Sequence, residues 1–134
     1  MTDQELCSLA LEARELAYSP YSGITVGAAL LTGSGKVYLG ANIENASFTP
    51  TVCAERTAIF RAYLEGEREF VRIAIAGGKA GEPPRGLFPP CGVCRQVMAE
   101  FCAPEMQILL VGDGEYKKLS LAELLPFGFT KEHF

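Results

Sequence analysis

Cys53-Ala54-Glu55 and Pro90-Cys91-Gly92-Val93-Cys94 are the two stretches on which the reading of this chain turns. A C-x-x-C pair at the start of a helix lets two thiolates reach one metal ion. Cys53 offers a third thiolate, and Glu55 sets a carboxylate two positions further on. Three cysteine ligands beside a carboxylate that does not bind form the donor set of a catalytic zinc centre, with the fourth position open to water. Three thiolates leave Zn²⁺ with a net charge of about −1, which must be offset if water is to acidify there. Both stretches open helices, so free N–H groups face the sulfurs and supply part of that offset. Arg56 can donate a hydrogen bond to a ligand thiolate, and Arg95 can do the same; an ordinary surface charge is the other reading of each.

The elements around these stretches follow from pattern. Thr2-Asp3-Gln4-Glu5 reads as a capping box, followed by an apolar stripe Leu6, Leu9, Ala10, Ala13, Ala17, so a helix is expected to about Tyr18 before Ser19-Pro20. Ile24 to Leu31 reads as a strand, Gly33-Ser34-Gly35 as a hairpin turn, and Lys36 to Ile43 as the partner strand. Residues 42 to 51 are polar and interrupted, and helical spacing resumes at Ala54, Ala58, Ile59 and Ala62, with Gly66 as the stop. Cys53 and Glu55 are placed in the first turn of that helix.

Phe70 to Ala76 reads as a buried strand, and Gly77 to Pro90 as a Gly/Pro-rich loop that delivers Cys91. Val93, Val97, Met98 and Phe101 give the next helix its apolar side, Met106 to Val111 reads as another strand, and Gly112-Asp113-Gly114 as a turn. Ser120 to Glu123 is a second capping box, opening a short helix that ends at Pro126. The order α-β-β-α-β-α-β predicts one α/β domain over 1–134, with helices on both faces of a mixed sheet. Strand count and order do not follow from pattern.

Composition narrows the function. The net charge is −4, from 12 basic and 16 acidic residues with no basic cluster, so no nucleic-acid partner is expected. No apolar run approaches the ~18 residues of a membrane span, and Met1 to Glu5 lacks a basic secretory n-region. Five cysteines make no dense secreted framework. A reduced, cytoplasmic protein is expected.

Glu55 alone would read as a charge favouring a helix start; beside Cys53 and P-C-x-x-C it reads as a proton carrier. A structural four-ligand zinc site would need a further Cys or His, but Cys7 and Cys102 lack the local spacing and His133 sits in the tail. A redox C-x-x-C would leave Cys53-Ala54-Glu55 unexplained.

Those two motifs, with Val26-Gly27-Ala28-Ala29-Leu30, Asn42-Ile43-Glu44-Asn45-Ala46 and the stretch Tyr18 to Ser22, resemble the small homotetrameric cytidine deaminases. The resemblance runs from Tyr18 to Pro126. It implies a three-layer α/β/α sandwich with a mixed, roughly five-stranded sheet. It implies one zinc per subunit on Cys53, Cys91 and Cys94, water attacking C4 of a nucleoside's cytosine, and Glu55 shuttling protons. Asn42 and Glu44 would bind the ribose hydroxyls, and the Ala54 N–H the base O2. Ile24 stands where relatives commonly carry a Phe against the pyrimidine and offers aliphatic contact only. Phe48 stands where many carry Tyr, and lacks the hydroxyl. Phe129 matches a Phe that covers the ring across a subunit boundary. The Gly77–Pro90 loop and Phe88-Pro89-Pro90 depart from a shorter Ser-Pro-Cys entry. Ile24 also keeps open deamination of another aminopyrimidine nucleoside, such as a nucleoside antibiotic. A non-catalytic zinc-stabilised interaction domain is the rival from another class.

Overall fold

The first long strand, β1 (Ile24–Thr32), is apolar along most of its length because both of its faces are covered. Ala28 and Leu30 point into a core shared with the second and third helices; Ala29, and Leu31 at its margin, point to the first helix. The computed structural model describes residues 1–134, and it places a single five-stranded sheet at the centre.

In chain order the elements are α1 (Asp3–Ala13), a 3₁₀ turn (Arg14–Leu16), β1, β2 (Val37–Ala41), α2 (Ala54–Leu64), β3 (Phe70–Lys79), α3 (Gly92–Phe101), β4 (Gln107–Val111), β5 (Tyr116–Ser120), α4 (Leu121–Leu124) and a last 3₁₀ turn (Lys131–His133). The strands lie in the order β2-β1-β3-β4-β5. Only β3 and β4 pair in parallel; the other neighbours are antiparallel. A parallel pair needs a crossover, and α3 is carried on it. Leu6, Cys7 and Ala10 of α1 cover one face, packing on Ala29, Ala74, Ala76, Leu109 and Val111. Ala54, Ala58, Ile59 and Ala62 of α2, Cys94 and Met98 of α3 and Leu121 of α4 cover the other. The three-layer α/β/α arrangement with a mixed five-stranded sheet is thus as expected.

Boundaries differ in informative places. The first helix stops at Ala13 and tightens into the 3₁₀ turn instead of running to Tyr18. Buried Arg14 leaves that turn to donate to the carbonyls of Thr25, Lys79 and Glu82, pinning the start of the long connection before Cys91. β3 extends to Lys79, three residues past the expected end, because Gly77 and Gly78 keep pairing with Val26 and Thr25. A Cβ on Gly77 would lie 2.6 Å from the Phe88 ring, so glycine there marks close packing of the loop on the strand. β2 ends at Ala41, two residues early, since Asn42 turns its side chain toward β1. β5 had no signal in the hydrophobic pattern.

Both expected capping boxes form: Thr2 with Glu5, and Ser120 with Glu123. Asp3 in the first turn of α1 pairs with Arg72 of β3 and, at 2.7 Å, with Lys118 of β5. Those two cations, Lys118 foremost, hold its carboxyl below the usual carboxylate range. A depressed folded pKa contributes stability above the unfolded value and loses it as pH falls through the folded one. Asp3→Asn is therefore expected to cost about 1 kcal/mol at pH 7 and less at about pH 3. Urea midpoints of both proteins at the two pH values measure this, and an unchanged gap at low pH would refute it.

Candidate metal centre

Cys53 and Cys91 are N-caps, each extended (φ −79°, ψ 160° and φ −67°, ψ 167°) immediately before a helix begins. Helical spacing alone places Cys53 one position further in, inside the first turn. The shift matters little electrostatically: both sulfurs still sit at the positive ends of α2 and α3. Cys94 lies within the first turn of α3 and is fully buried, while Cys53 is half-buried and Cys91 exposed. The Cys94 N–H donates to Cys91 Sγ at 3.4 Å.

The three sulfurs lie within 4.8 Å of one another, and no other Cys, His, Asp or Glu completes the group. Sulfurs bound to one tetrahedral Zn²⁺ at about 2.3 Å stand about 3.8 Å apart. Cys53 Sγ and Cys91 Sγ are 3.8 Å apart. The donor set and its spacing therefore fit zinc. Hydrogen bonding from the Cys94 thiol, together with Arg56, holds the Cys53 thiol down to about 5. The same hydrogen bond, with burial, pushes Cys94 up. The cluster thus favours thiolate at Cys53, the form a metal ion binds.

Arg56 Nη2 donates to Cys53 Sγ at 3.2 Å, as its position beside Glu55 led one to expect. Arg95 is placed otherwise. Its Nε donates to the Pro90 carbonyl at 2.9 Å and its Nη1 to the Leu124 carbonyl at 2.7 Å, so it grips main chain and not a thiolate.

Glu55, in the first turn of α2, is 2% exposed. Burial pushes its carboxyl up to about 7, and the neighbouring Cys53 thiolate adds to the rise. A carboxyl that titrates near neutrality can both take and give a proton.

The residues expected around a sugar form a second group. Asn42 is buried: its Oδ1 accepts from Val26 N at 2.8 Å and its Nδ2 donates to the Ile24 carbonyl at 2.9 Å. One Nδ2 hydrogen is left over. Glu44 accepts from the N–H groups of Tyr21 and Ser22 at 3.0 and 3.1 Å and from the Ser22 hydroxyl at 2.5 Å. The Ser22 hydroxyl, chiefly, holds the Glu44 carboxyl low. Tyr21, Ser22, Glu44, Phe48 and Thr51 line a cavity of about 270 Å³. Phe48 has φ +60°, an uncommon conformation for a bulky residue, and meets Tyr21 edge-on at 6.1 Å. Ile24 packs at the margin of the same core as Cys53 and Phe88.

Ala54 is buried, and its carbonyl lies 2.8 Å from Thr57 Oγ1. Thr57 Oγ1 also accepts from the Ala41 N–H at 3.0 Å, tying α2 to β2. Ser22 and Thr57 were not singled out from sequence; a hydroxyl three residues past a helix's first position was the available hint for Thr57. Phe129 lies in the tail, its carbonyl held by Gln96 at 2.8 Å and its ring stacked on His133 at 5.4 Å.

The family model of the cytidine and deoxycytidylate deaminase zinc-binding region matches residues 1–110. The cytidine deaminase of Halalkalibacterium halodurans is 49% identical over 133 residues, spanning 98% of this chain and 97% of that relative. The crystal structure of a cytidine deaminase from Burkholderia pseudomallei superposes with a TM-score of 0.89 at 45% identity, covering 96% of this chain and all of that one. A blasticidin-S deaminase from Bacillus cereus is 32% identical over 132 residues, 96% of this chain and 93% of that protein.

Proposed function

The chain belongs to the zinc-binding cytidine and deoxycytidylate deaminase family, and from that premise we propose that it hydrolyses cytidine and 2′-deoxycytidine to uridine and 2′-deoxyuridine with release of ammonia. The observation that carries this is the meeting of three thiols and a buried, near-neutral carboxyl at two helix N-termini.

Cys53, Cys91 and Cys94 hold zinc, which supplies the Lewis acidity that makes water a nucleophile at neutral pH. Glu55 accepts one proton from the attacking water and gives it to the ring nitrogen, then takes the second from the hydroxyl formed at C4 and gives it to the departing amine. The amine leaves C4 as ammonia and a carbonyl remains. Arg56 holds negative charge on Cys53, so the excess on the thiolates is partly offset. The Ala54 N–H, at the open end of α2, donates to the base O2. Ile24 gives the ring an aliphatic wall.

Glu44 is held ionised and oriented by Ser22 and Tyr21, so it is ready to accept from ribose hydroxyls. Asn42 keeps one N–H for the same sugar. No Lys or Arg lines the cavity beside Glu44, so a 5′-phosphate would meet a carboxylate with nothing to neutralise it. Nucleosides, not nucleotides, are the substrates. Deamination of a nucleoside antibiotic is the weaker reading, since the blasticidin-S deaminase is 32% identical against 49% for the cytidine deaminase.

The protein acts as one domain in the cytoplasm; none of its five cysteines is paired in a disulfide, and no helix is long and apolar enough to cross a membrane. Phe129, more than half exposed in the single chain, closes a neighbouring subunit's site in a homotetramer. A monomer by light scattering would end that role for Phe129.

Purified protein carrying about one zinc per chain is expected to deplete the ultraviolet absorbance of cytidine and deoxycytidine, and to leave cytidine 5′-monophosphate unchanged. Zinc-replete protein without cytidine turnover would overturn the assignment.

A further inference from the structure

Cys91 is the exposed ligand of the three: apart from the Cys94 N–H that donates to its sulfur, little packing fixes it, and its placement leans on the main chain that precedes it. That main chain is Pro90, which is buried and whose carbonyl accepts from Arg95 Nε at 2.9 Å. The same guanidinium reaches in the other direction to the Leu124 carbonyl at 2.7 Å, the last residue of α4. α4 is itself docked: the N–H groups of Leu121 and Ala122 donate to the Met106 and Pro104 carbonyls, both at 3.0 Å. No ion pair engages Arg95, so its donors are free for carbonyls.

We propose that Arg95 is a positioning residue that sets the Cys91 sulfur by tying the Pro90 peptide to the end of α4. Metal retention then depends on the C-terminal helix, although α4 contributes no ligand. The planar guanidinium serves both carbonyls at once, which a lysine ammonium on a flexible stem does poorly. Gln96, the next residue, extends the tie to the Phe129 carbonyl at 2.8 Å. Ser120 and Glu123 hold the other end of α4 through their capping box, so that cap is part of what Arg95 leans on.

The proposal rests on the zinc reading of the site and not on its substrate. It is tested by the rate at which a chelator strips zinc from the loaded protein, with no substrate present, so a failed deamination assay leaves it standing. Arg95→Gln is expected to release zinc roughly 10-fold faster than wild type. Arg95→Lys, which keeps the charge and serves where Gln fails to fold, is expected to fall near Arg95→Gln. Ser120→Ala, which loosens α4, is expected to speed release about 3-fold alone and to add nothing in either Arg95 variant. Wild-type release from Arg95→Lys would mean that Arg95 acts by charge alone and would overturn the proposal. So would an undiminished Ser120→Ala effect when Arg95 is already replaced.

Discussion

Glu55→Gln is expected to lower kcat for cytidine by roughly 10³-fold while zinc content and thermal midpoint stay near wild type. Gln matches the shape of the carboxylic acid and keeps a hydrogen-bonding head, but it cannot accept and return a proton. The group is 2% exposed, and burial has already pushed its carboxyl up to about 7, so near neutrality much of the population carries no charge to lose. Removing that charge therefore costs the fold little. The competing role for this side chain, an anion favouring the start of α2, makes the opposite forecast. Under it the variant would unfold earlier and turn over cytidine at an ordinary rate. Steady-state rates, metal analysis and a melting curve on one preparation separate the two. Near-normal turnover by a zinc-replete Glu55→Gln protein would remove Glu55 from the chemistry.

The metal centre was readable in the sequence because its geometry is local. Cys91 and Cys94 lie within one helical turn, and Cys53 and Glu55 flank one residue, so spacing alone brings each pair together. The capping boxes at Thr2 and Ser120 were readable for the same reason. What pattern could not supply is whatever depends on distant main chain. Arg95 looked like a partner for the adjacent thiolate, yet its two acceptors lie 5 and 29 residues away. The resemblance makes Asn42 a sugar ligand. In the fold it bonds Ile24 and Val26, 18 and 16 residues upstream, and that use of its amide ends β2 early. β5 escaped notice because Tyr116, Lys117 and Lys118 are exposed on an edge strand, where no buried face writes alternation into the sequence. Glycine misled for a related reason: at Gly77 and Gly78 it signals close packing inside a ladder, whereas glycine in a Pro-rich stretch reads as loop.

Gly40→Ala tests that last point where it bears hardest on the site. A Cβ there would lie 2.3 Å from the Ala54 carbonyl oxygen and 2.6 Å from both Ala58 N and Thr57 Oγ1. Two of these are backbone atoms, so no rotamer change makes room, and β2 must part from α2. The separation opens the Thr57 bridge between Ala41 and Ala54, and Ala54 lies between Cys53 and Glu55. A single methyl is thus expected to cost about 3 kcal/mol, a fall of roughly 10 °C in Tm. It should also slow cytidine turnover at temperatures where the protein is still folded, since the first turn of α2 carries a ligand and the proton carrier together. At Gly92 a Cβ meets nothing within 4 Å, so alanine there should leave Tm unchanged or slightly raised. Differential scanning calorimetry of the two variants decides the matter. Equal melting temperatures would mean that β2 and α2 are not packed backbone to backbone, and that the position of Cys53 and Glu55 is set by something other than the sheet edge beneath them.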